Sequence, residues 1–361
     1  MNTQTLYHLS HIDLDGYSCQ LVMQYTPFKE KYNFNANYGA EVKEQLTLML
    51  EQIQQHKEQP TTLLITDLNL TTDEAKWLNN EIEKYNTNGY SITVQLLDHH
   101  GSGEECAKKY EWYYLDTQRC ATKITYDFAK EHWSLQEPQW MQHFVDVVNA
   151  VDLWIQEDHD NFEYGKVCMR LINETRELNR VMFAQEDFTY KLSLLHEAAK
   201  MIETPKAPIV LDEKIHFLKK DFFREDEDDT LDNLATKYIV KLLGDKRAQH
   251  TIYYKGYKGY LSYGVGNTSI IGNGFLTTYP EYDFIVDVSY RGTMSLRANN
   301  KVSVAQIAKE WAGGGGHPNA SGGRIQGFKE QYRYDKVKQQ IENIINEKES
   351  RAGDLAYKKE E

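Results

Sequence analysis

The sequence contains no apolar stretch of the length that a membrane protein requires. Its hydrophobic runs fall well short of the roughly 18 residues needed for a membrane-spanning helix. The first residues, Met-Asn-Thr-Gln-Thr, have neither the basic region nor the apolar core of a signal peptide. We therefore expect a cytoplasmic protein without a membrane partner.

Cysteine and positive charge are also scarce. Four cysteines are scattered over 361 residues with no Cys-x-x-Cys pair, a pattern that argues against a disulfide framework or a zinc knuckle. Lysine and arginine number 41 against 54 acidic residues, so the formal net charge is −13. Binding to a long nucleic-acid duplex depends on neutralising many phosphates, and this charge argues against such a partner. A small phosphoester needs only a local positive patch.

The apolar residues that are present are arranged as buried strands separated by helices. Hydrophobic residues make up 40% of the chain, enough for two or three domains. Residues 5–10, 61–66 and 91–97 have the composition of short buried strands, and helical patterns lie between them. This alternation predicts an α/β fold with a doubly wound parallel sheet.

Each of these predicted strands ends in side chains that bind metals. His11, Asp13 and Asp15 follow the first strand, Asp67 follows the second, and Asp98-His99-His100 follows the third. Open α/β sheets bind ligands at the carboxyl ends of their strands. On an extended backbone, residues two apart point to the same side, so the first three side chains are expected to converge. Crowded carboxylates favour a divalent cation, and the alternative is a polar turn that caps the next helix.

A further carboxylate follows an amphipathic helix. The helix is predicted over residues 138–151, and its apolar residues share one face. Packing of that face against the sheet would direct Asp152 inward, whereas the alternative is a local hydrogen bond at the helix end.

The second half of the chain combines further predicted strands with a glycine-rich segment. Strands are predicted at residues 251–254, 259–263, 284–288 and 293–297, and a helix at 303–311 precedes Gly313–Gly323. Six of these eleven residues are glycine, which lets backbone N–H groups surround an anion. For the glycine-rich segment, the alternative interpretation is a flexible helix stop. For Arg297, in the strand at 293–297, the alternative is a surface ion pair. The predicted substrate contacts are Arg297, Gly314, Gly315, Gly316, His317, Asn319 and Ser321.

These patterns predict the boundaries of the domains, and the family resemblance described next implies their roles. We expect a catalytic domain over residues 1–190 and a helical connector over 191–231 that contains an acidic run. A second, smaller α/β domain that binds substrate should span 232–346, and 347–361 should form a frayed tail.

Taken in order, the motifs resemble those of the DHH phosphoesterase superfamily, whose name is the triplet Asp98-His99-His100. The resemblance covers nearly the whole chain and is closest to the NrnB-like oligoribonucleases of Gram-positive bacteria. The segments that carry it are His11-Ile12-Asp13-Leu14-Asp15-Gly16, Thr66-Asp67, Asp98-His99-His100, Asp152 and Gly313–Gly323.

The resemblance implies two manganese ions, with magnesium as the alternative. The first ion would be held by His11, Asp13 and Asp67, and the second by Asp15, Asp67, His99 and Asp152. Asp98 would orient a neighbouring histidine, and His100 would donate a hydrogen bond or a proton in catalysis.

The function that this resemblance implies is manganese-dependent hydrolysis of short RNA oligonucleotides to 5′-mononucleotides, by water activated between the two ions. One alternative is a phosphatase acting on 3′-phosphoadenosine 5′-phosphate, linear dinucleotides or polyphosphate. Another is a nucleotide-sensing module without catalysis. Short RNA or small nucleotides are the expected partners, and a homodimer is compatible with this interpretation.

Overall fold

The computed structural model describes residues 4–57 and 59–357, with side chains as far as residue 350. The described residues form two compact units. The first unit comprises Met1–Arg176 and Phe188–Lys219, and the second comprises Glu177–Asp187 and Lys220–Glu361.

The first unit contains a five-stranded parallel sheet in the order β2-β1-β3-β4-β5. Its strands are β1 (Thr5–Ser10), β2 (Glu30–Asn35), β3 (Thr61–Thr66), β4 (Ile92–Asp98) and β5 (Tyr113–Leu115). The first helices of the chain are α1 (Leu14–Gln24), α2 (Ala40–Ile53), α3 (Thr72–Thr87), α4 (Glu104–Lys109), α5 (Ala121–His132), α6 (Met141–Asp152), α7 (His159–Glu174), α8 (Ala184–Met201) and α9 (Ala207–Phe223). The predicted α/β fold with a doubly wound parallel sheet is confirmed.

Both faces of this sheet are covered by helices. All six residues of β1 and of β3 are buried, as expected for strands in the middle of a parallel sheet. Tyr7 and Leu9 pack into a core with α2 and α3, whereas Leu6 packs into a core with α1, α5 and α6. Successive residues of β1 thus enter opposite layers.

The strand order places a crevice at the carboxyl ends of β1 and β3. These strands are neighbours, but the chain leaves β1 for α1 on one face and β3 for α3 on the other. In sheets of this order, the switch point between two such strands is where ligands bind.

The second unit contains a six-stranded mixed sheet in the order β10-β11-β9-β8-β7-β6. Its strands are β6 (Thr251–Tyr254), β7 (Tyr257–Tyr263), β8 (Phe284–Val288), β9 (Thr293–Ala298), β10 (Gly315–His317) and β11 (Ala320–Arg324), and the remaining helices are α10 (Leu231–Asp245), α11 (Arg247–His250), α12 (Thr268–Thr278), α13 (Val304–Ala312) and α14 (Tyr334–Tyr357). Helix α12 connects the parallel pair β7 and β8. The prediction of a second α/β region is confirmed.

The end of the chain and the helices can be compared with two further expectations. Helix α14 continues through most of the predicted tail, and residues 358–361 lie outside the described residues. Within the described part of the chain, no helix is both long and apolar enough to cross a bilayer.

Gly16 lies in the first turn of α1 against the backbone of His11. A Cβ atom at this position would lie 2.3 Å from the His11 carbonyl oxygen, so the backbone would have to move. We expect Gly16→Ala to lower the free energy of unfolding by about 1–3 kcal/mol, the usual cost of overpacking. Urea unfolding measures this, with Gly101→Ala as control, because a Cβ at Gly101 would have nothing within 4 Å. Equal stabilities for the two variants would contradict the packing argument.

Candidate metal centre

The first candidate ligands come from the turn that joins β1 to α1. Asp13 is the N-cap of α1, where its Oδ1 accepts a hydrogen bond from the Gly16 amide at 3.0 Å, and Asp15 lies in the first helical turn. The expectation of an extended backbone over this run was therefore wrong. The side chains converge because the chain turns, and His11 Nδ1 lies 2.9 Å from Asp13 Oδ2. The helix cap and the cluster of metal-binding side chains were alternative interpretations of this segment, and the structure contains both.

Asp15 is fixed by the beginning of α5. Its two carboxylate oxygens accept hydrogen bonds from the amides of Ala121 and Thr122, each at 2.7 Å. The positive end of the helix dipole favours a negative charge here. Asp15 is 1% exposed, and its Oδ2 lies 3.8 Å from His99 Nε2.

Asp67 lies between two imidazoles. Its backbone is left-handed, with φ of 56°, directly after β3. Its Oδ2 is 3.6 Å from His11 Nδ1, and its Oδ1 is 3.4 Å from His99 Nε2. The carboxylate thus lies within 4 Å of both histidines.

Asp152 completes the cluster from the last residue of α6. Its Oδ2 lies 3.7 Å from His99 Nε2, so this helix directs the carboxylate inward. Among the described residues, three groups have potential ligand atoms that lie within 4.8 Å of one another, namely His11, Asp13, Asp67; Asp15, His99, Asp152; and Asp67, His99, His100.

The unsatisfied atoms of this cluster fit divalent cations. Asp67 Oδ2 and Asp152 Oδ2 are buried and have no hydrogen-bond partner, although buried polar atoms are normally paired. Within the described residues, only histidines lie within ion-pair distance of the four carboxylates. Carboxylate oxygen and imidazole nitrogen are the donors that manganese and magnesium accept.

The pKa values report the same crowding of negative charge. Burial, followed by the charges of Asp15 and Asp13, raises the pKa of Asp67 well above its usual range. Burial and Asp15 raise the pKa of Asp152 to about 7. Burial opposes ionisation of His11, but Asp13 and Asp67 outweigh it and raise the pKa of His11 to about 10. Burial likewise opposes ionisation of Asp13, and contact with His11 prevails, lowering the pKa of Asp13 to about 2.

Asp98 and His100 form a second assembly beside the cluster. Asp98 is fully buried and accepts a hydrogen bond from the Tyr113 hydroxyl at 2.6 Å. His100 Nδ1 lies 2.7 Å from the other Asp98 oxygen, and His100 Nε2 lies 2.9 Å from the Tyr38 hydroxyl. His100 is therefore held at both ring nitrogens, and Asp98 orients it rather than His99.

Tyr38 is a site residue that the sequence analysis missed. It follows β2, an edge strand of alternating polar and aromatic residues that was not predicted. Its only signal in the sequence is an aromatic residue before Gly39, in a turn that precedes α2.

The predicted substrate-binding side chains lie in the second unit, where several make local contacts. Arg297, in β9, donates from Nη2 to the Ser269 hydroxyl at 2.6 Å. Asn319 donates to the Asn300 side chain at 2.6 Å. The Ser321 hydroxyl donates to the carbonyl of exposed His317 at 2.6 Å. The last two contacts hold the turn between β10 and β11.

The glycine-rich segment forms a β-hairpin rather than an irregular loop. Gly315 and Gly316 pair with Gly322 and Ser321. A Cβ atom at Gly314 would lie 2.2 Å from the Gly322 carbonyl oxygen, so close packing of the two strands already requires glycine there. The composition of this segment thus has a structural cause that is independent of any anion.

A parallel sheet whose carboxyl edge carries Asp98-His99-His100 together with convergent aspartates defines a phosphoesterase of the DHH class. No protein-family model matches the chain. The chain is 45% identical over 345 residues to the 3′,5′-cyclic-nucleotide phosphodiesterase of Helicobacter pylori, and the match covers 94% of this chain and 99% of that protein. The chain belongs to the family of this phosphodiesterase and is a phosphoester hydrolase.

A solved structure agrees with this relationship. The crystal structure of an uncharacterized protein from Helicobacter pylori has a TM-score of 0.87 and 44% sequence identity. The match covers 95% of this chain and 99% of that protein. Membership in the oligoribonuclease branch stays a prediction.

The raised pKa values predict how pH and metal act on stability. A group whose pKa is raised by folding binds its proton more tightly in the folded state, so the ion-free protein loses stability as pH rises. For Asp152 this loss runs from about pH 4, its unfolded pKa, to about 7. For His11 it runs from about pH 6.5 to about 10. Asp13, with its lowered pKa, acts only below about pH 4.

We therefore expect the melting temperature of the metal-free protein to fall between about pH 6.5 and pH 8, and less steeply in Asp152→Asn. Below about pH 6.5, buried His8 and His250 act in the opposite direction, because burial lowers the pKa of each to about 3. Added Mn²⁺ should raise the melting temperature more at the upper end, because its ligands must be deprotonated. Thermal unfolding followed by circular dichroism checks both effects. A melting temperature that rises with pH between about pH 6.5 and pH 8, or a metal effect independent of pH, would contradict the assignment.

Proposed function

We propose that the protein is a manganese-dependent phosphodiesterase that hydrolyses 3′,5′-cyclic nucleotides to 5′-mononucleotides. The observation that carries the proposal is the cluster of four aspartates and two histidines, in which buried oxygens of Asp67 and Asp152 have no hydrogen-bond partner. The 45% identity to a 3′,5′-cyclic-nucleotide phosphodiesterase, over nearly its whole length, supports this substrate class.

The residues divide into ion holders and groups that contact the substrate. His11, Asp13 and Asp67 would hold one ion, and Asp67 with Asp15, His99 and Asp152 would hold the other. Divalent ions in such a site withdraw charge from phosphoryl oxygens and bring the pKa of a water molecule toward neutrality. Imidazole ligation beside carboxylates favours manganese over magnesium.

The protein itself supplies orientation and an imidazole that can form a hydrogen bond with the substrate. In the overall reaction, water adds its hydroxyl group to phosphorus and its proton goes to the departing 3′-oxygen of the ribose. His100 is the candidate for contact with a substrate oxygen, because its imidazole lies beside Asp67 and is oriented by Asp98. Arg297 and the hairpin of β10 and β11 remain our candidates for binding phosphate in the second unit.

Short RNA oligonucleotides are the second candidate substrate. Their linkage joins the same 3′ and 5′ oxygens through phosphorus as that of a cyclic nucleotide, so the same cluster could act on both. The resemblance of the Asp98-His99-His100 motif set to oligoribonucleases is the observation that favours this candidate. The rates of hydrolysis of cyclic nucleotides and of short RNA therefore have to be compared to identify the substrate.

A substrate panel tests the proposal. We expect the purified protein with Mn²⁺ to convert 3′,5′-cyclic AMP and 3′,5′-cyclic GMP to 5′-nucleotides, with 2′,3′-cyclic AMP as the control for bond position. RNA dimers to pentamers and 3′-phosphoadenosine 5′-phosphate complete the panel, and chromatography identifies the products. Hydrolysis of RNA dimers without hydrolysis of cyclic nucleotides would replace the proposal with the oligoribonuclease function.

Asp67→Asn should abolish metal-dependent hydrolysis, because both ions would lose the charge of a shared ligand. We expect a rate loss of more than about 100-fold, since such charge stabilisation is worth several kcal/mol. Initial rates under metal-buffered conditions measure this. Asp160→Asn is the control, because the Asp160 side chain is fully exposed. An Asp67→Asn variant as active as this control would refute the shared-ligand assignment.

A further inference from the structure

The turn after β2 places one aromatic side chain against two histidines of the site. The Tyr38 ring centroid lies 4.7 Å from that of His11 and 5.6 Å from that of His100. The Tyr38 hydroxyl lies 2.9 Å from His100 Nε2 and 3.4 Å from the carbonyl oxygen of Asp67. Tyr38 thus contacts parts of the chain that follow three different strands.

The backbone of this turn is fixed, whereas the tyrosine side chain faces solvent. The Ala36 amide donates to the Ser10 carbonyl at 3.0 Å, and the Asn37 amide donates to the carboxylate of buried Glu41 at 2.8 Å. The Tyr38 amide donates to the Asn37 side chain at 2.8 Å. Tyr38 itself is 41% exposed, so an ordered backbone presents a side chain that substrate can reach.

The hydrogen bonds around His100 have a defined direction. The Asp98 carboxylate can only accept, so His100 Nδ1 carries the proton of that contact. In a neutral imidazole the other nitrogen then accepts, and the Tyr38 hydroxyl donates to His100 Nε2. The result is a continuous series of hydrogen bonds from Tyr38 through His100 to Asp98. Asp98 also accepts a hydrogen bond from Tyr113.

This series of hydrogen bonds affects which atoms can reach the metal centre. His100 lies close enough to Asp67 and His99 to act as a third ligand with them. With Asp98 at one ring nitrogen and Tyr38 at the other, its imidazole faces the cluster without either nitrogen being free to join it.

We propose that Tyr38 is the positioning residue of the active site: its hydroxyl orients the His100 imidazole and keeps it available for a substrate oxygen instead of a metal ion. The inference rests on the proposed phosphodiesterase function. Tyr38 acts through His100: its hydroxyl occupies Nε2 and keeps this nitrogen from the metal ligands until a hydroxyl group of the substrate replaces it as the donor to Nε2.

Removal of the hydroxyl alone tests this role. Tyr38→Phe keeps the ring contacts and should lower kcat about fivefold or more, the rate equivalent of one net hydrogen bond, with little change in KM. Tyr32→Phe is the matched control, because Tyr32 lies in β2 and its hydroxyl bonds to Glu30. Unfolding midpoints of both variants establish that the fold is retained.

A double-mutant cycle separates positioning from a direct role. In a His100→Ala background, Tyr38→Phe should have no further effect on kcat, because the group that it positions is absent. An equal fall in kcat in both backgrounds would show that Tyr38 acts without His100 and would overturn the inference.

A spectroscopic measurement tests the contact without activity. In metal-free protein with ¹⁵N-labelled histidine, the His100 Nε2 resonance should shift in Tyr38→Phe and stay unchanged in Tyr32→Phe. Wild-type protein inactive on every diester would refute the proposed function and leave this shift as the test of the contact. Active wild type with an unshifted resonance and unchanged kcat in Tyr38→Phe would refute the positioning role alone.

Discussion

Repulsion between buried carboxylates is the constraint on which the first unit depends. Asp15 and Asp67 are almost fully buried, Asp13 and Asp152 lie beside them, and histidines are their ion-pair partners among the described residues. Burying charge without a counterion costs several kcal/mol per group, so such a cluster persists only where the scaffold enforces it. The energy that opposes the cluster is the same energy that makes it bind cations strongly.

The scaffold enforces the cluster through the ends of β1 and β3. The Ser10 hydroxyl lies 2.7 Å from the Thr66 hydroxyl and 2.8 Å from the Gly16 carbonyl, which joins both strands to the first turn of α1. Buried His8 contacts the same Thr66 at 2.8 Å, and burial lowers the pKa of His8 to about 3, so this imidazole is neutral. A network of uncharged groups thus supports the charged one, which avoids adding a further charge to the core.

The parts that the sequence predicted are those with strong local signals. Strands β1 and β3 are continuous apolar runs because both faces are covered, and Asp67 and Asp98-His99-His100 stand directly at strand ends. Strand β2 is a half-buried edge with mixed polarity, so it was missed, and Tyr38 with it. The turn at residues 11–15 is local, because the Asp13 cap that was the alternative interpretation produces it. The hairpin at Gly314 depends on close packing against Gly322, which the glycine content alone does not specify.

The left-handed backbone of Asp67 has an evolutionary consequence. A residue with a Cβ atom is strained by roughly 1 kcal/mol in that conformation, and glycine would relieve the strain. A change to glycine would therefore relieve the backbone strain of the folded protein, but it would also delete the carboxylate between the two imidazoles. At this position, selection for thermal stability would favour glycine, whereas selection for catalytic turnover would favour aspartate. The presence of aspartate is what selection for turnover predicts.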